Sequence, residues 1–309
     1  MRPLSDMTII QIDVTNACYL KCTNCTRHVG HHKKPYFMDL DYLKEAIKSL
    51  EEFPGRIGLM GGDPTLHPKF DEILEIYQKM IPRRKRELWT SGFDWVKKKE
   101  IIFDTFDEDR ITYNDHSTPG GKHTPLLVSI DEVVKDKKMM WKLIDNCWIQ
   151  EQWAASITPK GAFFCEVAAS LDYLFDGPGG YELTVDWWKK TPEEFSDQVE
   201  RYCTKCSGCL PFPAESDGYG GRKEPTIDTI SPCMLKDLEN VKSPKVQGKN
   251  YKLFDREYTK NDLINYVKDW NPSTFRNFIA HLPDDYETKS VSRDVDPEKS
   301  GKLKRSQTA

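Results

Sequence analysis

Short β-branched runs alternate with amphipathic segments along the first half of the chain. Met7–Val14 is rich in isoleucine and valine, which is typical of a strand. The segment 40–53 instead repeats its apolar residues at helical spacing, behind Asp39 as a potential cap. The strand-like runs are Met7–Val14, Arg56–Met60, Glu87–Thr90, Ile111–Asn114 and Leu126–Ser129, and the helix-like segments are Leu40–Phe53, Phe70–Met80, Ile101–Phe106 and Asp131–Asp145. This alternation predicts an α/β fold with a parallel sheet.

The pattern changes after residue 140. Pro159-Lys160-Gly161 predicts the turn of a short hairpin, and a helix is predicted near Glu166–Phe175. Helical spacing returns within residues 243–285. Beyond about Tyr286 the chain is polar and charged without an apolar period, which predicts disorder.

Composition narrows the class of protein. A chain of 309 residues with 38% hydrophobic residues can form one large domain and a smaller one. The formal charge of −4 does not favour a nucleic-acid partner. The sequence has no apolar run of membrane-spanning length and no signal-peptide pattern, so we expect no membrane association. Nine cysteines without an export signal favour metal binding in a reducing cytoplasm over disulfides.

Three cysteines follow the first predicted strand closely. Cys18, Cys22 and Cys25 have the spacing C-x3-C-x2-C. Three thiolates on one loop can bind three irons of a [4Fe–4S] cluster and leave the fourth iron open for another ligand. The alternatives are a zinc knuckle or incidental thiols, although zinc sites usually pair C-x2-C with a second pair of ligands. The spacing therefore favours a cluster.

A glycine pair ends the second predicted strand. Gly61 and Gly62 are followed by Asp63-Pro64. Glycines at the carboxyl end of a parallel strand let the backbone approach a ligand closely. The alternative is an ordinary turn.

With both motifs in place, the chain resembles the radical S-adenosylmethionine (SAM) enzymes. The cysteine spacing matches the cluster motif of that family, and Gly61-Gly62-Asp63-Pro64 matches its glycine-glycine-acid-proline motif, which contacts the methionine moiety of SAM. The resemblance implies that SAM binds the open iron, and that its reductive cleavage yields a 5′-deoxyadenosyl radical that takes hydrogen from a substrate. One departure is Asn24, where the family usually has an aromatic residue before the third cysteine.

The resemblance also implies a partial (β/α)6 TIM-like barrel with the reactive centre at the carboxyl ends of its strands. Thr90, Ser91 and Asn114 follow strands 3 and 4, so they are expected to border SAM or substrate. His28, His31 and His32 are expected on a solvated loop.

The later cysteines predict a second metal site. A hairpin between cysteines, a helix and then C-x2-C resembles the auxiliary-cluster domains called twitch and SPASM. The six later cysteines fit either one fully ligated [4Fe–4S] cluster with two spare thiols or two clusters with open positions. Our prediction is one auxiliary cluster on Cys147, Cys165, Cys203 and Cys206, with Cys209 as a possible substitute, and structural zinc is the alternative.

These patterns divide the chain into four parts. We predict a radical SAM barrel over residues 1–140, a twitch- or SPASM-like domain over 141–240, a helical segment over 241–285 and a disordered tail over 286–309.

The reaction after hydrogen abstraction is left open. Oxidation would pass an electron to the auxiliary cluster, whereas epimerisation would need a thiol such as Cys209 or Cys233 to return hydrogen. The preferred substrate is a polar small molecule, such as a sugar, an aminoglycoside or a nucleoside-like metabolite, and the candidate contacts are Glu151, Asp172, Asp115 and His116. A flavodoxin or ferredoxin is the expected electron donor. Peptide modification is the alternative, disfavoured by the few residues before Cys18, and a non-catalytic metal scaffold is the alternative of another class.

Overall fold

A computed structural model describes residues 1–114, 122–150 and 155–269, the last three by their backbone alone. In chain order its strands and helices are β1 (Ile9–Thr15), α1 (Leu40–Ser49), β2 (Arg56–Gly61), α2 (Phe70–Met80), β3 (Arg86–Thr90), α3 (Trp95–Thr105), β4 (Ile111–Tyr113), β5 (Lys122–His123), α4 (Ile130–Val133), α5 (Lys137–Asp145), β6 (Ser156–Thr158), β7 (Gly161–Phe163), α6 (Glu166–Leu174), α7 (Ser196–Tyr202), β8 (Glu215–Ser216), β9 (Asp228–Ile230), α8 (Pro232–Asn240), α9 (Pro244–Gln247), β10 (Tyr251–Leu253) and α10 (Lys260–Asp269).

The main sheet has six strands in the order β4-β3-β2-β1-β6-β7. The first five of these strands run parallel, and β7 is antiparallel to β6. Helices α1, α2 and α3 connect successive parallel strands, as a βαβ sequence requires. The predicted α/β class, with a sheet like that of a partial TIM-like barrel, is therefore confirmed.

Amphipathic helices cover the sheet. The side chain of Asp39 accepts a hydrogen bond from the amide of Asp41, which confirms the predicted cap of α1. Helix α2 has the predicted bounds and buries Phe70, Ile73 and Leu74. Each of these helices has one apolar face, which packs on the sheet and forms the core.

Two expected elements differ in the structure. The run Leu126–Ser129 forms no strand, and Leu127 only makes an isolated parallel bridge with Ile230 of β9. The helix expected over Asp131–Asp145 is broken into α4 and α5, because Val134 is extended and Asp136 caps a new helix through the amide of Met139.

The hairpin expected in the second half joins the main sheet. Strand β6 pairs with β1 through Gln11 and Ile12, and the amide of Gln11 donates to the carbonyl of Ala155 at 3.0 Å. Two small sheets complete the fold: β9 pairs with β10 in parallel, and β5 pairs with β8 antiparallel. Residues 270–309, which include the predicted tail, lie outside the described part of the chain.

Candidate active site

A cavity lies at the carboxyl ends of β1 to β4. It encloses about 560 Å³, including its open mouth. Its lining consists of Cys18, Leu20, Cys22, Cys25, Thr26, Arg27, Val29, Met60, Gly61, Gly62, Trp89, Thr90, Ser91, Asn114 and His123. Three thiols, the glycine pair and three polar residues from the ends of β3 and β4 thus share one cavity, as their positions after parallel strands predicted.

The glycine pair lets the end of β2 touch the start of the cysteine loop. The amide of Gly62 donates to the carbonyl of Thr15 at 2.7 Å, and the amide of Asp63 donates to that of Ala17 at 2.8 Å. A Cβ on Gly62 would lie 2.2 Å from the carbonyl oxygen of Ala17, and one on Gly61 would lie 2.0 Å from that of Thr15. Gly61 also has a φ of +149°. Only glycines permit this contact.

Asp63 braces the strand ends from behind the cavity. Its buried carboxylate accepts hydrogen bonds from the hydroxyls of Thr65 at 2.8 Å, Thr90 at 2.9 Å and Ser91 at 2.6 Å. Pro64 begins a short 3₁₀ helix. Neither Asp63 nor Pro64 is among the described residues that line the cavity. Asp63 therefore positions Thr90 and Ser91, which do line it.

Burial keeps two of the cavity thiols protonated. It raises the pKa of Cys18 to about 12 and raises that of Cys22 as well. A metal ion would offset this, because it deprotonates a coordinating thiol. Within the described ranges, no three His, Cys, Asp or Glu side chains are arranged to hold a single metal ion.

Asn24 points away from the cavity. It adopts the left-handed conformation, with a φ of +51°, which asparagine tolerates better than most residues. Its Nδ2 donates to Glu215 at 2.9 Å, its Oδ1 accepts from the amide of Thr229 at 3.1 Å, and its amide donates to Asp228 at 2.7 Å. In place of an aromatic contact, this position ties the cysteine loop to the segment 215–229.

A glycine-rich segment lies over the cysteine loop. The amide of Lys21 donates to the carbonyl of Gly220 at 2.8 Å, and the hydroxyl of Thr226 donates to the carbonyl of Lys21. The guanidinium of Arg222 stacks over the ring of Tyr19, at 5.1 Å from its centroid. These contacts fasten the segment 217–226 to the cysteine loop.

The expectation of a solvated histidine loop is wrong for His28 and His31, which are buried. His28 Nδ1 lies 2.8 Å from the hydroxyl of Ser170 on α6, and His31 Nε2 lies 2.7 Å from Asp228. His32 is partly exposed, and its Nε2 donates to the carbonyl of Arg27 at 3.1 Å. The loop is sandwiched between α6 and the segment 228–246, which sequence spacing alone does not reveal.

A buried charge cluster anchors the loop on its other side. Arg27 forms ion pairs with Asp13 of β1 at 3.2 Å and with Glu166 of α6 at 2.9 Å. All three side chains are at most 6% exposed. The sequence analysis missed this cluster, although a carboxylate within the apolar run of β1 was a signal for it.

Asp228 is a second anchor that the sequence analysis missed. It accepts hydrogen bonds from the amide of Asn24, from His31 and from the ammonium of Lys245, each at 2.7 Å. Burial by itself would raise the pKa of the Asp228 carboxyl, but the hydrogen bond from His31 and the charge of Lys245 lower it to about 2. Lys245 also donates to the carbonyl of Cys22 at 2.9 Å.

Four later cysteines line a second cavity of about 340 Å³. They are Cys147, Cys165, Cys203 and Cys206, and the surrounding side chains are mainly apolar, including Ile149, Phe164, Val167, Leu171 and Tyr202. Neither Cys209 nor Cys233 is among the described residues that line either cavity. Cys209 is buried in the core, and the thiol of Cys233 lies 3.3 Å from the ammonium of Lys205.

Of the four expected substrate contacts, the structure describes Asp172, which does not line the first cavity. Asp172 is fully buried and accepts hydrogen bonds from the hydroxyl of Tyr202 at 2.6 Å and the amide of Gly179 at 2.9 Å, with Lys160 at 2.7 Å. It holds the fold of the second half and does not reach the first cavity. Glu151, Asp115 and His116 lie outside the described residues.

Most residues of the first cavity fall within a stretch of the chain that matches a known protein family. Residues 12–111 match the radical SAM superfamily. The matched stretch runs from β1 into β4 and contains the three cysteines and the glycine pair of the cavity. Members of the radical SAM superfamily are enzymes that use a [4Fe–4S] cluster and SAM. Among the residues that the structure describes, no helix is long and apolar enough to cross a membrane.

The solved structures that resemble this chain share little sequence with it. BtrN in complex with AdoMet and 2-DOIA is 16% identical, with a TM-score of 0.43, over 64% of this chain and 88% of that chain. Streptococcus suis SuiB bound to S-adenosylmethionine is 12% identical, with a TM-score of 0.30, over 80% of this chain and 50% of that chain. Streptococcus suis SuiB bound to the precursor peptide SuiA is 12% identical, with a TM-score of 0.30, over 90% of this chain and 54% of that chain. No curated protein sequence matches significantly.

Proposed function

We propose that this chain is a radical SAM enzyme that oxidises a polar small molecule. Cys18, Cys22 and Cys25 would hold a [4Fe–4S] cluster, with SAM beside it in the first cavity. The observation that carries the proposal is that the three thiols line the same cavity as Gly61 and Gly62. The match of residues 12–111 to the radical SAM superfamily supports it independently.

The donor set of the first cavity suits a cluster. Cys18, Cys22 and Cys25 line the cavity together and supply three thiolates, which can bind three irons of a [4Fe–4S] cluster and leave the fourth open. Zinc sites usually pair C-x2-C with a second pair of ligands, which the C-x3-C-x2-C spacing does not supply.

Bound there, the cluster and SAM would supply a carbon radical able to remove hydrogen from an unactivated position. The protein has to orient the reactants and exclude water. Gly61 and Gly62 present bare backbone to the cavity, while Thr90 and Ser91 present hydroxyls fixed by Asp63. The glycine-rich segment 217–226 is hydrogen-bonded to the cysteine loop at Lys21.

The second cavity supports one auxiliary [4Fe–4S] cluster in a domain of the twitch or SPASM kind. Cys147, Cys165, Cys203 and Cys206 supply the four thiolates that a fully ligated cluster requires. The mainly apolar lining would shield the cluster from water. Zinc at the same four residues is the competing outcome of the test below. The proposed domain limits remain 1–140, 141–240, 241–285 and 286–309.

Oxidation is favoured over epimerisation because epimerisation needs a hydrogen donor beside the substrate. Cys209 and Cys233 are not among the described residues lining the first cavity. A polar substrate is supported by Thr26, Asn114 and His123, which also line the first cavity. The electron donor remains our earlier expectation, a flavodoxin or ferredoxin, as does a cytoplasmic location.

The first experiment counts metal. The chain is reconstituted anaerobically with iron and sulfide, and a triple variant of Cys18, Cys22 and Cys25 to alanine is compared with a quadruple serine variant of the auxiliary cysteines. We expect about eight irons per native chain and about four in each variant. Zinc in place of iron at the second cavity would contradict the auxiliary cluster alone.

The second experiment tests the chemistry. Native protein with SAM and dithionite should form 5′-deoxyadenosine, and the triple alanine variant should form none. No product from a native chain that carries its full iron would refute the enzyme and favour a metal scaffold. With candidate sugars and nucleosides in deuterated water, oxidation leaves no solvent deuterium on carbon, whereas epimerisation incorporates it. Turnover of peptides alone would refute the small-molecule substrate.

A further inference from the structure

A buried ammonium group lies beside the middle cysteine of the loop. Lys245, from α9, is 4% exposed. Its Nζ donates to the main-chain carbonyl of Cys22 at 2.9 Å and to Asp228 Oδ1 at 2.7 Å. A lysine is seldom fully buried without a partner, because desolvating its charge is costly. The fold therefore places a buried positive charge next to the backbone of Cys22.

The path of the lysine side chain is built into the cysteine loop. A Cβ on Gly30 would lie 2.5 Å from Cε, 2.7 Å from Cδ and 2.9 Å from Cγ of Lys245. The stem of the lysine thus crosses the bare α-carbon of Gly30. An alanine at this position would push the stem away while leaving its charge in the protein.

Asp228 holds the opposite charge in the same place. Besides Lys245, it accepts from the amide of Asn24 and from His31 Nε2. Because the ionised carboxylate can only accept, His31 carries its proton on Nε2, and its Nδ1 accepts from the hydroxyl of Ser243 at 2.7 Å. Asn24 precedes Cys25, so both members of the ion pair contact the backbone of the cysteine loop.

We infer that the two charges of the Lys245–Asp228 ion pair shift the reduction potential of the cluster held by Cys18, Cys22 and Cys25 in opposite directions, with Lys245 raising it by stabilising the reduced state and Asp228 lowering it. This inference rests on the proposed function, because it needs a cluster at these cysteines. A reduced cluster carries one more negative charge than the oxidised cluster, and cluster potentials depend on nearby charge, hydrogen bonds and exposure. In a buried setting one unit charge acts strongly over several ångströms.

The test is an anaerobic redox titration of the reconstituted full-length chain, followed by the electron paramagnetic resonance signal of the reduced cluster. The signal of the first cluster is recognised by its change when SAM is added. Lys245→Met should lower its midpoint potential, and Asp228→Asn should raise it. Each change should alter the reduced-to-oxidised ratio at fixed potential at least tenfold, or about 59 mV for one electron.

Two further variants separate charge from structure. The double variant Lys245→Met/Asp228→Asn removes both charges, so its potential should return close to the native value. Gly30→Ala moves the lysine but keeps the charge, so it should shift the potential in the direction of Lys245→Met by a smaller amount. Glu87→Gln is the control, because it breaks the Arg56–Glu87 ion pair at the amino ends of β2 and β3. Its potential should be unchanged.

Shifts of the same sign in both single variants, or no shift in either, would overturn the inference and leave the proposed function intact. A native chain without iron at the three cysteines would instead refute the proposed function. If Lys245→Met fails to retain a cluster, the potential of Asp228→Asn tests the inference, because asparagine has the same shape as aspartate. In that case an unchanged or lowered potential in Asp228→Asn overturns the inference.

Discussion

The contact between the glycine pair and the cysteine loop makes a sharp prediction for Gly62→Ala. The new Cβ would lie 2.2 Å from the carbonyl oxygen of Ala17, with the Ala17 carbonyl carbon at 2.7 Å and the oxygen of Asn16 at 2.8 Å. All three atoms belong to the backbone, so no side chain can rotate away. The two segments must separate by about 1 Å to restore normal contacts.

That separation weakens two hydrogen bonds. They join the amides of Gly62 and Asp63 to the carbonyls of Thr15 and Ala17. A buried backbone group that loses its partner costs about 1–3 kcal/mol, and Ala17 is partly exposed. We therefore expect Gly62→Ala to lower the free energy of unfolding by about 2–4 kcal/mol, a large part of the stability of a typical domain. Because Ala17 precedes Cys18, iron retention should fall as well.

The assay is anaerobic urea unfolding of the metal-free protein, followed by circular dichroism, together with iron per chain after reconstitution. Gly248→Ala is the matched control, because its Cβ would meet only the side-chain amide of Asn250 below 3.0 Å. It should change stability by less than about 1 kcal/mol. Our reasoning is refuted if Gly62→Ala unfolds within about 1 kcal/mol of the native protein and binds the native amount of iron.

Three further outcomes are expected. Cys203→Ser should lose the auxiliary cluster and therefore about four irons per chain, whereas Cys209→Ser should keep about eight irons per chain. An iron assay measures both, and equal losses would contradict the assignment of the ligands. Asn24→Ala should destabilise the metal-free protein to urea by about 2–4 kcal/mol, because it leaves the buried amide of Thr229 unpaired and puts alanine at a φ of +51°. The pKa of the Asp228 carboxyl is lowered from 3.8 to about 2. The ionised carboxylate therefore contributes stability that is fully present above about pH 4 and is lost as the pH falls towards 2. The stability difference between native protein and Asp228→Asn should therefore shrink by about 2 kcal/mol over that range, and a difference independent of pH would contradict it.

Buried ion pairs hold the cysteine loop in place on both sides. Arg27 holds the loop to β1 and α6, while Asp228 and Lys245 hold it to the later part of the chain. Breaking one of these buried ion pairs strongly destabilises the fold, because removing one partner leaves the other charge buried and unpaired. The loop is thus fixed by protein contacts on both sides, which preorganises its three thiols.

Elements defined by local pattern were predictable. Helix α2 has the predicted bounds, the strands β1 to β4 lie where the apolar runs indicated, and the turn at Pro159-Lys160-Gly161 forms the expected hairpin. The broken helix α4–α5 was not predicted, because the cap by Asp136 competes with a continuous apolar period. The shared cavity of the cysteine loop, the glycine pair and the ends of β3 and β4 follows from the same local rules, since residues at the carboxyl ends of adjacent parallel strands converge.

The amino-acid sequence by itself therefore determined the elements, the cysteine spacing and the glycine pair, because each depends on residues only a few positions apart. Tertiary structure decided what surrounds them. It placed Asp228 on Asn24 across 204 residues, joined the hairpin to β1 and buried His28 and His31, which were expected in solvent. Such contacts depend on how distant segments pack, and a charged residue carries no local mark of the partner that will neutralise it.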